Sequence, residues 1–386
     1  MDIEARINRR QRRDGAASLV LDYGALAPTS HVADPVDRGP ALERLLDYFE
    51  PVFEGALPGD GYVSGPPGAG KTALVTALVS HLDRLPTGAS GVIHTTTRAR
   101  SGRSPAFVYV DAREAASRFA FYHAVLEGLS GESVPRHGLG TETVRRRLTD
   151  LLADRRAVLV VDHVGEPSSV DRTDLADLRA PIEGSTALCA VGRAPAADWA
   201  DRVSTTVEVP RYQQQVLVDV LMTRASAGLA RRALDHDRAQ RIAEWAAGDA
   251  HDALAALLVA ADRASSAGHD RLTDGDVAAG IDDVPRNGAS LGRVLALPEN
   301  RQAVLRELVD LEDADVTSVT ATTDAIAAAD RVDLSPGTIK RFLYELAEWG
   351  ILERVAVERT DGQGRPPSRV EPRFPPTAFR LLYDLG

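Results

Sequence analysis

Gly65-Pro-Pro-Gly-Ala-Gly-Lys-Thr72 matches the pattern G-x-x-x-x-G-K-[ST], and its reading decides the fold. The short apolar run Gly61–Ser64 precedes it, and a helix is expected to begin near Lys71. Strand, glycine-rich loop, helix is the order a phosphate loop requires. The loop comprises Gly65, Pro66, Pro67, Gly68, Ala69, Gly70, Lys71 and Thr72. It is expected to turn backbone N–H groups inward around phosphate oxygens, while the helix N-terminus adds partial positive charge. Lys71 should reach the β-phosphate of bound ATP or ADP and the γ-phosphate of ATP, and the Thr72 hydroxyl should ligate Mg²⁺. Of the 45 basic residues only Lys71 and Lys340 are lysines. A chain that has nearly abandoned lysine keeps one here.

Outward from the loop, short apolar runs recur at Phe107–Val110, Ala157–Val161, Ala187–Val191 and Val207–Val209. Helical stretches separate them, as in Ala41–Phe53, where Leu42, Leu45, Leu46 and Phe49 share a face. This alternation predicts an α/β fold around a mostly parallel sheet. Asp162 follows the apolar run at 157–161, and in phosphate-loop proteins an aspartate there holds Mg²⁺, often through water. A capping aspartate after a strand is the plainer reading. His163 comes next; Glu166, three residues further, need not face the phosphate.

Four modules are expected. Residues 1–13 form a basic arm with five arginines against Asp2 and Glu4, and 14–210 form the nucleotide-binding base. The base includes a polar loop at His94–Pro105. After Pro210 the strand signal ends, and 211–285 read as a small all-helical unit with Thr273 capping its last helix. Pro285–Gly288 reads as a linker into 290–386.

That last unit reads as a winged helix. Helices are expected at Glu299–Leu311, Thr323–Ala329 and from Ser335-Pro336 to about Trp349, followed by strands at Ile351–Glu358 and Ser368–Phe374. On the third helix Ile339, Phe342, Leu343 and Leu346 form the buried face. Thr338, Lys340, Arg341 and Tyr344 are then left to reach base edges of duplex DNA. The wing segment 354–373 carries five arginines against Glu358, Asp361 and Glu371. Arg359, Arg365 and Arg369 are the expected phosphate or groove contacts, with Gln363 at the tip. A winged helix used only for protein contacts is the alternative.

Composition sets outer limits. The 386 residues carry a net charge of −11 and a 44% hydrophobic fraction, which excludes wholesale disorder. The longest apolar runs fall short of the ~18 residues a membrane span needs. No secretory signal is apparent, so a cytoplasmic, nucleoid-associated protein is expected. A single cysteine, Cys189, excludes an internal disulfide and a multi-cysteine metal site. Arginine-for-lysine and Asp-over-Glu skews with acidic excess suit a halophile, or GC-rich codon usage alone.

The motifs resemble those of the AAA+ initiator clade, particularly archaeal, and by composition haloarchaeal, proteins of the origin-recognition and cell-division-control type. The resemblance rests on GPPGAGKT at 65–72, VLVVDH at 158–163, ALCAVGR at 187–193 and ADRVSTTVEVPRY at 200–212. The segment AEWAAGDAHDALAALLVAA at 243–261 and the C-terminal unit complete it, so it spans about Leu26 to Asp384. It implies an AAA+ base, a helical lid and a winged helix that binds duplex origin DNA and helps recruit the replicative helicase or other initiator subunits. It also implies catalytic positions at Asp162 and His163, at Arg193 (sensor 1), Arg202 (arginine-finger region) and His251 (sensor 2). Three of these depart from the pattern: histidine replaces glutamate at 163, arginine replaces asparagine at 193, and histidine replaces arginine at 251. One lost transition-state group can cost ~10²–10³ in rate. The phosphate loop is intact, so nucleotide binding with very slow hydrolysis at most is expected. The same modules also fit an ATP-binding transcription regulator, or a degenerate paralogue acting only in protein interactions.

Overall fold

The computed structural model describes residues 18–84, 104–312, 314–356 and 368–385. The basic arm at 1–13, most of the polar loop at 94–105, and Arg359, Gln363 and Arg365 of the wing lie outside the described residues. The chain divides into two compact units, one of residues 31–211 and one that joins 18–30 to 212–386.

The first unit is a three-layer α/β domain. In chain order it contains α1 (Gly39–Phe53), β1 (Gly61–Ser64), α2 (Lys71–Asp83), β2 (Ala106–Asp111), α3 (Arg118–Ser130) and α4 (Thr141–Leu152). There follow β3 (Ala157–Val164), α5 (Arg172–Arg179), β4 (Thr186–Gly192) and β5 (Thr205–Glu208). All five expected strands form, and every pairing is parallel, in the order β2-β3-β4-β1-β5. Alternation along β3 splits the core. Val158 and Val160 pack with α1 and α2, whereas Leu159 and Val161 pack with α3, α4 and α5. The near-continuous apolar strands follow from this burial on both faces. Cys189 on β4 is fully enclosed; burial, reinforced by the charge of Asp162, pushes its thiol up to about 12, so it is no nucleophile at neutral pH.

The second unit contains α6 (Gln214–Gly228), α7 (His236–Ala246), α8 (Ala250–Ser266) and α9 (Asp274–Asp282). Thr273 caps α9 in a reciprocal capping box with Asp276. Next come α10 (Leu291–Leu295), α11 (Glu299–Leu308), α12 (Val319–Ala327), α13 (Pro336–Glu348), β6 (Leu352–Ala356), β7 (Ser368–Pro372) and α14 (Pro376–Leu385). β6 and β7 pair antiparallel. Helix α12 begins four residues earlier than its sequence suggests, because the Ser318 side chain caps it by accepting from Ala321 N–H. The β-branched Thr320, Thr322 and Thr323 mask that start.

Two placements differ from the expected modules. Residues 18–30 do not join the nucleotide base: Val20 bridges Leu229, and Leu19, Val20 and Leu26 enter the core of the second unit. Arg224 Nη2 holds the segment by donating to the carbonyls of Ala27 and Ser30, both at 2.6 Å. The 285–288 segment is not a free linker either. Arg373 Nη2 donates to Asn287 O at 3.1 Å, and a Cβ on Gly288 would lie 2.4 Å from Arg373 O. Among the described residues of 212–385, one apolar core therefore joins the helices before this segment to those after it. No helix among the described residues is long and apolar enough to cross a membrane.

Helix α14 is anchored by charge. Arg306 on α11 is buried and forks onto Asp384, with Nε 2.9 Å from Oδ1 and Nη2 2.8 Å from Oδ2. It also binds Asp310. Its hydrogen bond holds the Asp384 carboxyl below the usual aspartate range. Stabilisation from such a group is complete above the unfolded-state pKa and is lost as pH falls through the lowered folded value. Arg306→Ala is expected to cost about 1–2 kcal/mol in urea denaturation at neutral pH, with the deficit shrinking in acid.

Candidate nucleotide site and reader surface

The glycine-rich loop is built by its backbone. Gly68 and Gly70 take left-handed φ values of 63° and 76°, and Gly70 leads directly into α2. A Cβ on Gly65 would lie 2.3 Å from Val209 O, so no side chain fits there. Lys71 is buried, and its Nζ donates to Gly65 O at 2.7 Å and Pro66 O at 2.8 Å. The ammonium thus sits against the start of the loop. β1 lies between β4 and β5, while the following strand, β2, lies at the far edge of the sheet. The loop therefore opens at a topological switch point, where ligands of open α/β sheets bind.

Asp162 stands on β3 with its side chain 1% exposed. The strand does not end there, as its sequence suggests, but continues to Val164 through a bulge: Val161 pairs with Ala190, and Val164 with Gly192. His163, the extra residue, takes a φ of 62°, uncommon for a non-glycine. Asp162 accepts from its own neighbour's N–H at 2.7 Å and from the Tyr109 hydroxyl at 3.2 Å. Burial, then the Asp162 charge, raises the Tyr109 phenol well above its ordinary value, so it remains a donor.

Around this carboxylate the bulge assembles a cluster. His163 Nε2 lies 3.6 Å from Asp162 Oδ2, and His163 Nδ1 lies 3.2 Å from Glu166 Oε1. Arg193, just beyond β4, brings Nη2 within 2.9 Å of the same Oε1. Burial alone would raise the Glu166 carboxyl. The His163 hydrogen bond and the charges of Arg193, His163 and Arg113 outweigh it and hold the group at about 2. Sequence reasoning left Glu166 without a role. The one available signal was a charged residue placed directly after Gly165, whose φ of 77° turns the chain back at the strand end.

The two remaining expected catalytic positions belong to different units. Arg202 is exposed, 3.9 Å from Asp201. His251 lies in the second unit, on the first turn of α8; its Nε2 accepts the Leu291 N–H at 2.9 Å, tying α8 to the start of α10.

On the reader surface, the buried face of α13 is Ile339, Phe342, Leu343 and Leu346. Ser335 caps the helix, and the Thr338 hydroxyl lies 2.9 Å from the Ser335 hydroxyl. Lys340 Nζ reaches Thr320 Oγ1 on α12 at 3.4 Å. Arg341 is largely exposed, 3.5 Å from Glu345, which also holds Arg301 at 2.8 Å. Tyr344 is half-buried against the core, with the Arg354 guanidinium 4.9 Å from its ring. Arg369 on β7 donates to Glu371 at 2.7 Å.

Comparison with known proteins matches residues 35–191 to the AAA ATPase domain family. The chain is 25% identical over 254 residues to ORC1-type DNA replication protein 9 of Halobacterium salinarum, covering 61% of this chain and 64% of that protein. It is 24% identical over 253 residues to ORC1-type DNA replication protein 1 of Sulfurisphaera tokodaii, covering 61% and 60%. The chain thus spans slightly under two thirds of the length of these two curated relatives. Among solved structures, the Aeropyrum pernix ORC1 protein in complex with DNA superposes with a TM-score of 0.60 at 21% identity, covering 95% of this chain and 97% of that one. Cdc6p from Pyrobaculum aerophilum superposes at 0.54 and 18% identity, covering 95% and 98%. These two likenesses establish the fold. Residues 35–191 thus match the AAA ATPase domain family, and the chain resembles, as its motifs imply, the archaeal ORC1-type and Cdc6-type proteins.

Proposed function

We propose that this chain is a nucleotide-binding replication initiator that holds ATP or ADP with Mg²⁺ and hydrolyses it very slowly at most. The observation that carries the reading is the phosphate loop: left-handed glycines, the α2 N-terminus, and Lys71 held at the loop's first carbonyls. Lys71 would pair with phosphate oxygens, and Thr72 and Asp162 would hold the Mg²⁺, whose charge offsets that of the phosphates. Tyr109 keeps Asp162 oriented by its hydrogen bond.

The C-terminal helices and ribbon would act as a winged helix on duplex origin DNA and help to recruit the replicative helicase. Support comes from the order of elements, the exposed Arg341 on α13, and the Aeropyrum pernix neighbour solved in complex with DNA. Binding of the full chain to duplex DNA, followed by fluorescence anisotropy across a salt series, tests this. A double Lys340→Ala, Arg341→Ala variant is expected to bind more weakly and to discriminate less between duplex sequences. Absence of duplex binding at every salt concentration would sink the reading. Genome-wide occupancy then separates the initiator from a transcription regulator: origins for the first, promoters for the second. A protein-contact role is the second reading, favoured by Glu345 and Glu371, which already hold Arg341, Arg301 and Arg369.

A further inference from the structure

Glu166 has no part in the nucleotide contacts described above, yet its side chain is only 3% exposed. Its Oε1 serves both His163 Nδ1 and Arg193 Nη2, at 3.2 and 2.9 Å. Its Oε2 is buried with no hydrogen-bond partner among the described residues. Arg193 therefore meets the carboxylate through one oxygen, without the two-point fork that makes such pairs hardest to part. Arg113, forked onto Asp111 beside the cluster, adds positive charge toward Glu166.

The location matters as much as the pairing. Val63 on β1 pairs with Val191 on β4, so Gly65 and Arg193 each stand two residues past a paired position on neighbouring strands. Neighbouring strands run about 4.8 Å apart. Arg193 thus leaves the sheet one strand away from the start of the phosphate loop, and Asp162 leaves it from the strand on the other side. A guanidinium and an imidazole meet at the carboxyl edge of the sheet that carries the glycine-rich loop, and the anion they share belongs to the protein.

We propose that Glu166 is a built-in anion that competes with the terminal phosphate of a bound nucleoside triphosphate for Arg193, biasing the site toward nucleoside diphosphate. The inference rests on the nucleotide-binding reading above. A triphosphate gains the Arg193 contact only by displacing the guanidinium from a buried carboxylate, which then keeps His163 alone as its direct partner. A diphosphate asks for no exchange. A ligand shifts such a two-position equilibrium only by its differential interaction with the two arrangements.

The test is equilibrium titration of the full chain with ADP and with a non-hydrolysable ATP analogue, both with Mg²⁺. Glu166→Gln keeps the shape and removes the charge. It is expected to tighten the triphosphate analogue relative to ADP by roughly tenfold or more, the scale of one charge-assisted hydrogen bond. Adding Arg193→Ala to that variant is expected to erase the gain, while ADP affinity stays near wild type throughout. Glu166→Asp, which withdraws the carboxylate from Arg193 but keeps its charge, is expected to shift the ratio in the same direction. It serves if circular dichroism shows that Glu166→Gln does not fold. An unchanged ratio in both variants, or a gain that survives Arg193→Ala, overturns the inference while leaving nucleotide binding intact. Failure of the wild-type chain to bind either nucleotide overturns both readings together.

Discussion

Replacing Lys71 by alanine is expected to weaken ADP and ATP binding by at least two orders of magnitude in calorimetric titration. The ammonium is enclosed by the loop, where it donates to Gly65 O and Pro66 O. Those carbonyls are replaceable partners; the positive charge at that point is not. No other lysine occurs in the first unit, and the Arg193 guanidinium is engaged with Glu166. The variant should nevertheless fold, because α2 is held by Leu74, Val75 and Leu78 in the core and not by the lysine. Near wild-type thermal unfolding with lost binding is therefore the expected pair of results. Undiminished affinity in this variant would remove the basis of the nucleotide reading.

ATP turnover in the wild-type chain is expected to fall at least ~10²–10³-fold below that of ordinary phosphate-loop motors in a single-turnover assay. The residue after Asp162 is the reason. Where hydrolytic relatives place a glutamate, His163 is turned by a bulge and held between Asp162 and Glu166. Glu166 does not substitute as a base, since the cations around it hold its carboxyl at about 2, far from the basicity that proton abstraction near neutral pH requires. The Arg193 guanidinium is tied to the same carboxylate. Turnover at motor-like rates that disappears in Lys71→Ala would contradict this account, because it would locate an effective base at this site.

The fold was legible because its signals are local. Five apolar runs became five strands, and Gly-Lys-Thr at 70–72 fixed where the helix after the phosphate loop begins. The helical spacing of Ile339, Phe342, Leu343 and Leu346 gave the buried face of α13 without any reference to its neighbours. Helix caps at Ser335 and Thr273 behaved as their side-chain chemistry requires. Legibility failed where a residue's place depends on a distant partner. Val20 pairs with Leu229, some two hundred residues on, so nothing local assigns 18–30 to the second unit. The resemblance puts His251 where a phosphate-sensing arginine would stand, with an ordinary helix residue as the other reading; that its imidazole accepts from Leu291 N–H is a bond no sequence spacing announces.

The same division runs through the site. The sequence by itself determined that a phosphate loop exists, which lysine serves it, and that the usual glutamate after Asp162 is absent, because each of these is a matter of residue type at fixed spacing. Only the tertiary structure decided that Glu166, His163 and Arg193 form one cluster. Their meeting requires a bulge in β3, a left-handed turn at Gly165 and the parallel pairing of β3 with β4. Such contacts between adjacent strands are set by sheet order and register, which local spacing along one strand does not encode.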